Sequence, residues 1–276
     1  MNKSVNIFIL NWNGKKVVYE CLDSLMKISY LNSNIIVIDN GSKDDSISFI
    51  SNEFPKVKII ELKHNYGFAK GNNMGFNSID QADYSIFINN DTIVDSDFVE
   101  PLINTLEADE KIAQVSPKIF YHHQKNKIWY AGATVNLLIG YIRHNGIRKK
   151  DSPIFFHPSI TDYATGCCVC MRSNEFNEIG MFDESFPMYC EDVDLSLRFK
   201  KAGKKVFFVP DSKIWHKVSY SIGGEFSINK WKIKQLGKFK LISKHLNSLI
   251  VILIFPLLVL LSLIELVLNS LIRWLR

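Results

Sequence analysis

The sequence of 276 residues is poor in cysteine and has no long apolar segment near its start. Its five cysteines are an odd number, and three of them fall within residues 167–170, where a strand would place neighbours on opposite faces. The opening MNKSVNIFILNWNG lacks the apolar core and the cleavage site of a signal peptide. These shortages argue against a secreted, disulfide-stapled protein, and we expect the thiols to pack as small buried side chains.

An excess of one charge is also missing from most of the chain. The net charge is +5, but residues 225–276 carry eight Lys or Arg side chains against two acids, so residues 1–224 are close to neutral. Proteins that bind nucleic acid usually show a basic body with interleaved aromatic residues. We therefore expect no nucleic-acid partner.

Neither a G-x-G-x-x-G motif nor a basic, Gly-rich loop after the first apolar run is present. The first absence disfavours a dinucleotide-binding protein, and the second disfavours a nucleotidyltransferase. The chain has instead a segment rich in Gly and Asn, residues 65–73, ahead of a helical pattern. Glycine allows close backbone approach and a helix N-terminus attracts anions, so this segment is a candidate for phosphate contact.

Strand and helix patterns alternate at short intervals through the first half. Continuous apolar runs, typical of strands covered on both faces, occupy residues 5–10, 35–39, 57–62 and 84–89. Such repeated β-α-β units predict an α/β fold with a mostly parallel, Rossmann-like sheet. In the second half we expect short strands within 117–172, then two helices and a strand near residues 173–179, 192–202 and 205–209.

Polar residues follow three of these strands, as Asn11-Trp12-Asn13, Asp39-Asn40-Gly41-Ser42 and Asn89-Asn90-Asp91. The carboxyl ends of parallel strands face one crevice, where ligands of such sheets bind. Asp39 would accept a hydrogen bond from a nucleobase or a ribose, or it would cap its own turn. Asp91 would bind a hard divalent cation together with a diphosphate, or it too would be a cap.

Three acids lie within four residues, at Glu191, Asp192 and Asp194. They repel one another unless they are exposed, paired or near a cation. At a helix start they would favour the helix dipole, whereas in a water-poor cleft one of them would act as a general base on a hydroxyl. His216, just past a strand, would be a metal ligand or a structural histidine.

The C-terminal tail joins a basic segment to an apolar run. Residues 249–264 hold no charge and fall slightly short of the ~20 apolar residues of a spanning helix, which Pro256 would kink. Six lysines among apolar residues precede the run, a pattern suited to anionic lipid heads: Lys230, Lys232, Lys234, Lys238, Lys240 and Lys244. We expect residues 225–276 to attach the chain to a membrane, spanning or in plane, with residues 1–224 on the cytoplasmic face. A core helix is the alternative.

Taken together, six segments resemble the family-2 glycosyltransferases of the GT-A fold, especially their bacterial rhamnosyltransferase-like branch. The segments follow the family's order over roughly residues 5–218: ILNWNG (9–14), VIDNGSKD (37–44), NYGFAKGNN (65–73), FINND (87–91), TGCCVCMR (165–172) and GMFDESFPMYCEDVDLSLR (180–198).

This resemblance implies the role of each residue. Asn89-x-Asp91 stands in the place of the family's D-x-D element, with Asn89 where the first acid would be. Asp91 would bind Mg²⁺ or Mn²⁺, with His216 as a second ligand, and Asp192 matches the catalytic base, with Glu191 and Asp194 around the acceptor. The donor would contact Asn11, Trp12, Asp39, Asn40, Asn65, Gly67, Lys70, Asn73, Asn90, Asp91 and Gly166.

The same resemblance implies an activity for residues 1–224 as a catalytic domain. It would be an inverting, metal-dependent transfer of a sugar from a nucleotide-sugar, a UDP- or dTDP-sugar with dTDP-rhamnose among the candidates. The acceptor would be a hydroxyl of a lipid-linked saccharide in cell-surface polysaccharide synthesis, and the segment after His216 would form a lid or an acceptor loop. A non-catalytic scaffold that keeps the GT-A fold is the alternative, and a homo-oligomer remains open.

Overall fold

The computed structural model describes residues 3–186, 188–218 and 228–274, with the side chains of Lys230 and of residues 268–274 left out. The expected lid after His216 and the expected boundary at residue 224 fall mainly outside these residues. The described strands are β1 Val5–Asn11, β2 Ser33–Asp39, β3 Lys58–Glu61, β4 Tyr84–Asn89, β5 Thr92–Val94, β6 Ile112–Tyr121, β7 Gln124–Tyr130, β8 Ala133–Asn136, β9 Tyr141–His144, β10 Ser159–Ile160, β11 Cys168–Arg172 and β12 Lys205–His216. The described helices are α1 Lys15–Leu25, α2 Ser46–Glu53, α3 Phe68–Asn77, α4 Val99–Ala108, α5 Ser173–Glu178, α6 Glu191–Lys201, α7 Ile228–His245 and α8 Ser248–Trp274.

One large mixed sheet organises these elements, in the order β10-β12-β6-β11-β4-β1-β2-β3, with β5 paired to β12 and β7 to β6. The four strands of the first half, β1 to β4, are all parallel, as the β-α-β pattern predicts. β11 runs antiparallel between β4 and β6, so the second half adds a mixed portion to the sheet. The predicted α/β fold, with its parallel half formed by β1 to β4, is confirmed.

Apolar side chains on both faces of the sheet form the core. In β1 the side chains of Ile7 and Ile9 join one apolar cluster, while Phe8 joins the cluster on the opposite face. The strand β11 divides in the same way, because Cys168 and Cys170 pack on one face and the residues between and after them on the other. All five cysteines are free and buried, which confirms that they serve as small apolar side chains.

The last strand, β12, is longer than its apolar pattern predicts. We expected it to end at Val209, because Pro210 has no N–H to donate to a ladder. In the structure the pairing with β6 shifts register between Val209 and Lys213 and then continues to His216. The shift of register accommodates Pro210, and the strand then continues to His216 at the crevice end of the sheet.

The two C-terminal helices form an antiparallel pair beside this body. Leu241 and Ile242 of α7 are buried, so α7 packs into the body. The ring of Phe239 on α7 lies 5.8 Å from that of Phe255 on α8. Of the described residues, only Ser248–Val267 is long and apolar enough to cross a membrane, with a mean hydropathy of 3.0 and little burial.

Candidate active site

The carboxyl ends of β1, β2 and β4 meet in one crevice, as predicted. The register places Asn11 beside Asp39, and the amide of Asn90 donates to Asn11 Oδ1 at 2.9 Å. Gly14 is required here, because a Cβ would lie 2.2 Å from Asn11 Oδ1 and 2.5 Å from Asn90 Nδ2. Trp12 follows the strand end and is half-exposed, so its ring is free to line a ligand.

Asp39 is buried at the floor of this crevice and closes a turn. Its Oδ2 accepts from the backbone N–H of Ser42 at 2.8 Å, and its Oδ1 accepts a longer bond of 3.4 Å from Asn11. The hydrogen bond from Ser42 to Asp39 is therefore the one expected of a residue that caps its own turn. Contact with a nucleobase or a ribose remains a prediction.

Asn40 and Asn65 order the Gly-rich segment before α3. The amide of Asn40 donates to Asn65 Oδ1 at 3.0 Å and to the carbonyl of Gly67 at 3.2 Å, while its Oδ1 accepts from the N–H of Tyr66. Gly67 has a φ of +80°, which side chains rarely adopt, and it leads directly into α3. These residues shape the loop, and we keep donor contact by Asn40, Asn65 and Gly67 as a prediction.

Lys70 and Asn73 on α3 face the segment before α6 rather than the strand ends. Buried Asn73 donates to the carbonyl of Phe182 at 2.8 Å and accepts from its N–H at 3.2 Å. Lys70 Nζ lies 3.9 Å from Glu184 and over the ring of Tyr66. Asn73 is thus engaged with backbone, whereas Lys70 is partly exposed and able to turn toward an anion.

Asp91 and His216 form a buried pair at the end of β4. Pairing of β5 with β12 brings them together, and Asp91 Oδ1 lies 3.1 Å from His216 Nε2. Although burial favours the neutral acid, the charge and hydrogen bond of His216, with a further contribution from Lys217, hold the pKa of Asp91 below its usual value. The ring of Trp129 stacks edge-on against His216 at 4.6 Å, and His216 Nδ1 is buried without a hydrogen-bond partner.

This pair fits part of a divalent-cation shell. Two ligands at right angles and about 2.1 Å from an ion are about 3 Å apart, which matches the Asp91–His216 separation. Within the described residues there is no group of three His, Cys, Asp or Glu side chains that would hold a metal ion. The two side chains therefore suit a metal only if a diphosphate and water complete the shell, which is how such ions are commonly held.

Asp192 lies at the start of α6, with its carboxylate tied to backbone N–H groups. Oδ2 accepts from Gly166 at 2.8 Å, and Oδ1 accepts from Val193 at 2.8 Å. Burial raises the pKa of Asp192, and these hydrogen bonds offset only part of the effect. Glu191 beside it is buried with Oε2 unpaired, and burial together with the charge of Asp192 raises its pKa as well. The two residues before α6, Tyr189 and Cys190, both have positive φ.

The segment 165–167 links Asp192 to the Asp91 pair. Gly166 binds Asp192, while the carbonyl of Cys167 accepts from the N–H of Asn89 at 3.0 Å. Both carboxylates also act on the buried thiol of Cys167, whose pKa burial and their charges raise. The segment 165–167 thus lies between Asp192, which binds Gly166, and the pair of Asp91 and His216.

Asp194 has a different environment from its neighbours. Its fully buried carboxylate accepts from Arg198 Nε at 2.8 Å and lies 2.7 Å from Lys244 Nζ and 2.8 Å from His245 Nε2. Although burial opposes ionisation, these partners hold the pKa of Asp194 below its usual value. Asp194 therefore links α6 to α7 in a structural network. Its expected place near the acceptor stays a prediction.

Sequence reasoning missed three side chains at this site. Lys217 is buried beside Asp91 and pairs with Glu20 at 2.6 Å. Trp129 packs on His216, and Lys244 reaches Asp194 from α7. Adjacency to His216 was a usable signal for Lys217. Trp129 and Lys244 come from distant segments, so no local pattern marks them.

The mixed sheet with its parallel first half is the GT-A fold of sugar-transferring enzymes. The chain belongs to glycosyl transferase family 2, whose family model matches residues 6–175. The protein is thus a glycosyltransferase.

Curated relatives support this assignment. The rhamnosyltransferase WbbL of Escherichia coli K12 is 26% identical over 185 residues, covering 63% of this chain and 70% of WbbL. The uncharacterized glycosyltransferase RP339 of Rickettsia prowazekii is 27% identical over 204 residues, covering 74% of this chain and 60% of the relative. The poly-beta-1,6-N-acetyl-D-glucosamine synthase of Staphylococcus aureus is 24% identical over 231 residues, and the chain spans only about half of its length.

Solved structures with low identity show the same fold. GalNAc-T7, crystallised with UDP, GalNAc and Mn²⁺, matches 87% of this chain and 47% of its own at a TM-score of 0.69 and 17% identity. The mannosyltransferase PcManGT of Pyrobaculum calidifontis, in complex with GDP-Man and Mn²⁺, matches 87% of this chain and 62% of its own at a TM-score of 0.62 and 14% identity.

Proposed function

We propose that this glycosyltransferase moves a sugar from a UDP- or dTDP-sugar to a hydroxyl of a lipid-linked saccharide, with inversion at the anomeric carbon. The observation that carries this proposal is Asp192, a largely buried carboxylate held by two backbone N–H groups and linked through Gly166 to the crevice. The raised pKa brings Asp192 closer to the range in which a general base works best at neutral pH.

The chemical step follows from that placement. Asp192 accepts the proton of the acceptor hydroxyl while the oxygen forms its bond to the anomeric carbon. The bond from that carbon to the diphosphate oxygen breaks, and the nucleoside diphosphate leaves with the electron pair. Because attack is direct and comes from the face opposite the leaving group, the configuration inverts.

The crevice at the strand ends would hold the donor. Trp12 is free to lie against the base, Asp39 to accept from it, and Lys70 to turn toward the diphosphate. Asp91 and His216 would hold Mn²⁺ or Mg²⁺, which when bound supplies positive charge to the departing diphosphate. Two structural neighbours were solved with Mn²⁺, which supports a divalent ion here without choosing between Mn²⁺ and Mg²⁺.

The relatives support the proposed acceptor, and the C-terminal tail supports the proposed location. WbbL and the poly-beta-1,6-N-acetyl-D-glucosamine synthase are named for rhamnosyl transfer and for synthesis of a polysaccharide, so we propose that the lipid-linked acceptor belongs to cell-surface polysaccharide synthesis. The chain up to α7 would carry the chemistry, and α8, within the predicted attachment region of residues 225–276, would attach it to the cytoplasmic face of a membrane. Cytosolic nucleotide-sugars and an acceptor presented on lipid suit that location.

A donor panel tests this function. The full-length protein in detergent is incubated with UDP-, dTDP- and GDP-sugars and membrane extracts, and nucleoside diphosphate release is measured. Asp192→Asn is expected to lower turnover by about 10²–10⁴-fold while nearly keeping the donor KM. The matched control is Asp211→Asn, at an exposed acid outside the site. Full turnover in Asp192→Asn would overturn the assignment of the base.

A further inference from the structure

Helix α8 exposes an unbroken apolar surface. On the opposite side, Ser262 and Glu265 face α7, since Ser262 donates to Gln235 at 2.9 Å and Glu265 accepts from Lys238 at 2.9 Å. The large apolar side chains that it leaves exposed run along its length: Leu249, Ile250, Ile252, Leu253, Phe255, Leu257, Leu260, Leu263, Ile264 and Val267. A helix with one face this apolar needs an apolar partner of matching extent.

Helix α8 also lies along the body instead of projecting from it. Contacts with α7 occur near the middle, at Phe255, and further on, at Ser262 and Glu265. Helix α7 is fixed in turn by its buried Leu241 and by Lys244 on Asp194. A spanning helix would be surrounded by lipid over about 30 Å, whereas α7 covers one side of α8 from Phe255 to Glu265, within the apolar run.

A second apolar element adjoins α8. The tip of the β8–β9 hairpin exposes Leu138, Ile139 and Tyr141 by 50%, 44% and 41%. Gly140 at the same tip meets α8 closely, because a Cβ there would lie 3.2 Å from Leu258. A cavity of about 230 Å³ beside this contact is lined by Ile139 and Tyr141 of the tip and by residues of α7 and α8. The tip therefore packs against α8 at Leu258, a buried residue on the side of the helix opposite its exposed face.

The charge and chemistry of this tip suit a lipid surface. Arg143 is exposed and lies two residues after Tyr141 on β9, so both side chains project from the same face of the hairpin. Tyrosine and arginine are residues that favour the boundary between acyl chains and phosphate heads. An apolar protein partner would not call for the arginine.

We propose that α8 lies in the plane of the membrane and that the hairpin tip, Leu138–Tyr141, inserts beside it as a second lipid contact. This deepens the membrane attachment proposed above and rests on it. The outer face of α8 meets the acyl chains, and the tip, which packs against the inner side of the helix, meets the layer of lipid heads beside it, so the catalytic body is held at a fixed tilt. The acceptor lipid would then reach the enzyme from the same surface.

Flotation of the full-length protein with vesicles tests the tip. With vesicles of phosphatidylethanolamine and phosphatidylglycerol, Leu138→Glu combined with Ile139→Glu should weaken binding by about tenfold, because two charges enter the lipid boundary. Ile154→Glu is the matched control, since Ile154 is 80% exposed but lies outside the tip. Equal flotation of the tip variant and the wild type would overturn the role of the tip. Failure of the wild type to float would instead overturn the attachment itself.

Labelling from one side tests the in-plane orientation. The five native cysteines are buried, so a cysteine added after Arg276 can be labelled against a low background. In spheroplasts, an impermeant maleimide should label it only after lysis, as it should label the control Ile154→Cys. Labelling of the added cysteine in intact spheroplasts, with the control still protected, would show a spanning helix and overturn the proposal.

Discussion

Asp91 and Asp192, the two carboxylates of the site, are both shielded from solvent, but their pKa values shift in opposite directions. For Asp91, a histidine and a lysine outweigh burial and lower its pKa. For Asp192, two backbone N–H groups do not outweigh burial, and its pKa rises. A stably charged group suits binding a cation, and a group with a raised pKa suits accepting a proton. The environments thus agree with the different roles proposed for them.

The Asp91–His216 pair carries the prediction on metal binding. Asp91→Asn is expected to weaken Mn²⁺-dependent binding of UDP or dTDP by at least about tenfold. Removal of a residue that only supports a metal ligand already lowers metal affinity by about 10–100-fold, and removal of a ligand itself should cost no less. Titration calorimetry with and without Mn²⁺ measures the effect, and Asp97→Asn, at an exposed acid in the next turn, is the control. Undiminished turnover of the wild type in EDTA would refute a metal at this pair.

Glu191 leads to a prediction about stability and pH. Its folded pKa is raised above the unfolded value, so the cost of its charge is absent at low pH and grows as pH rises from the unfolded pKa through the folded one. Glu191→Gln removes that cost. We expect its Tm to exceed that of the wild type by about 2–4 °C at pH 8, the shift that about 1 kcal/mol gives in a protein of this size, and to match it near pH 4. A lower Tm at pH 8 would mean that Glu191 has a partner in solution.

At the level of elements, the sequence predicts the first half of the fold closely. The runs at 5–10, 35–39, 57–62 and 84–89 became β1 to β4 within a few residues, because parallel strands covered on both faces have a simple pattern. The strand ends also met as predicted, since parallel pairing fixes where they lie. The antiparallel insertion of β11 and the passage of β12 through Pro210 were not predictable, because both depend on pairing with distant strands.

The lysines of α7 show the limit of reading an element alone. Their spacing among apolar residues suggested contact with lipid heads, yet Lys238 pairs with Glu265 and Lys244 binds Asp183 and Asp194. Lys240 donates to the carbonyl of Ser185. These partners come from other elements, so the pattern on the helix does not reveal them. Lys232 remains exposed and available to an anionic surface.

The link from α7 to α6 is expected to stabilise the protein. Lys244→Met with His245→Gln leaves the buried Asp194 with Arg198 among its described partners and should cost about 2 kcal/mol, within the range for hydrogen bonds to charged groups. Because the folded pKa of Asp194 is lowered, this stability is present above the unfolded pKa and is lost as pH falls through the folded one.

Denaturant unfolding of this double variant at pH 7 measures the loss. Lys238→Met is the control on the same helix, where the partially exposed pair with Glu265 should contribute less than about 1 kcal/mol. If both variants lose the same small free energy of unfolding, the bonds to Asp194 do not hold α7 in place.

For the whole molecule, we expect the division between a catalytic part and a membrane part to lie between α7 and α8, because α7 packs into the body. Helix α7 contributes Leu241 to the core and two partners to Asp194, only two residues from the proposed base. Helix α8 contributes mainly its outward apolar face.

Two truncated chains distinguish a boundary after α7 from a boundary before it. A chain ending at residue 247 keeps α7 and should leave the membrane fraction while keeping most of the Tm and the donor turnover. A chain ending at residue 221 loses Leu241 and the partners of Asp194, and burial of one large apolar side chain alone is worth about 2–5 kcal/mol. We expect it to unfold at a clearly lower temperature and to lose donor turnover, as thermal unfolding and nucleoside diphosphate release would show. Equal Tm and turnover in the two truncated chains would place the boundary before α7, at the position expected from composition alone.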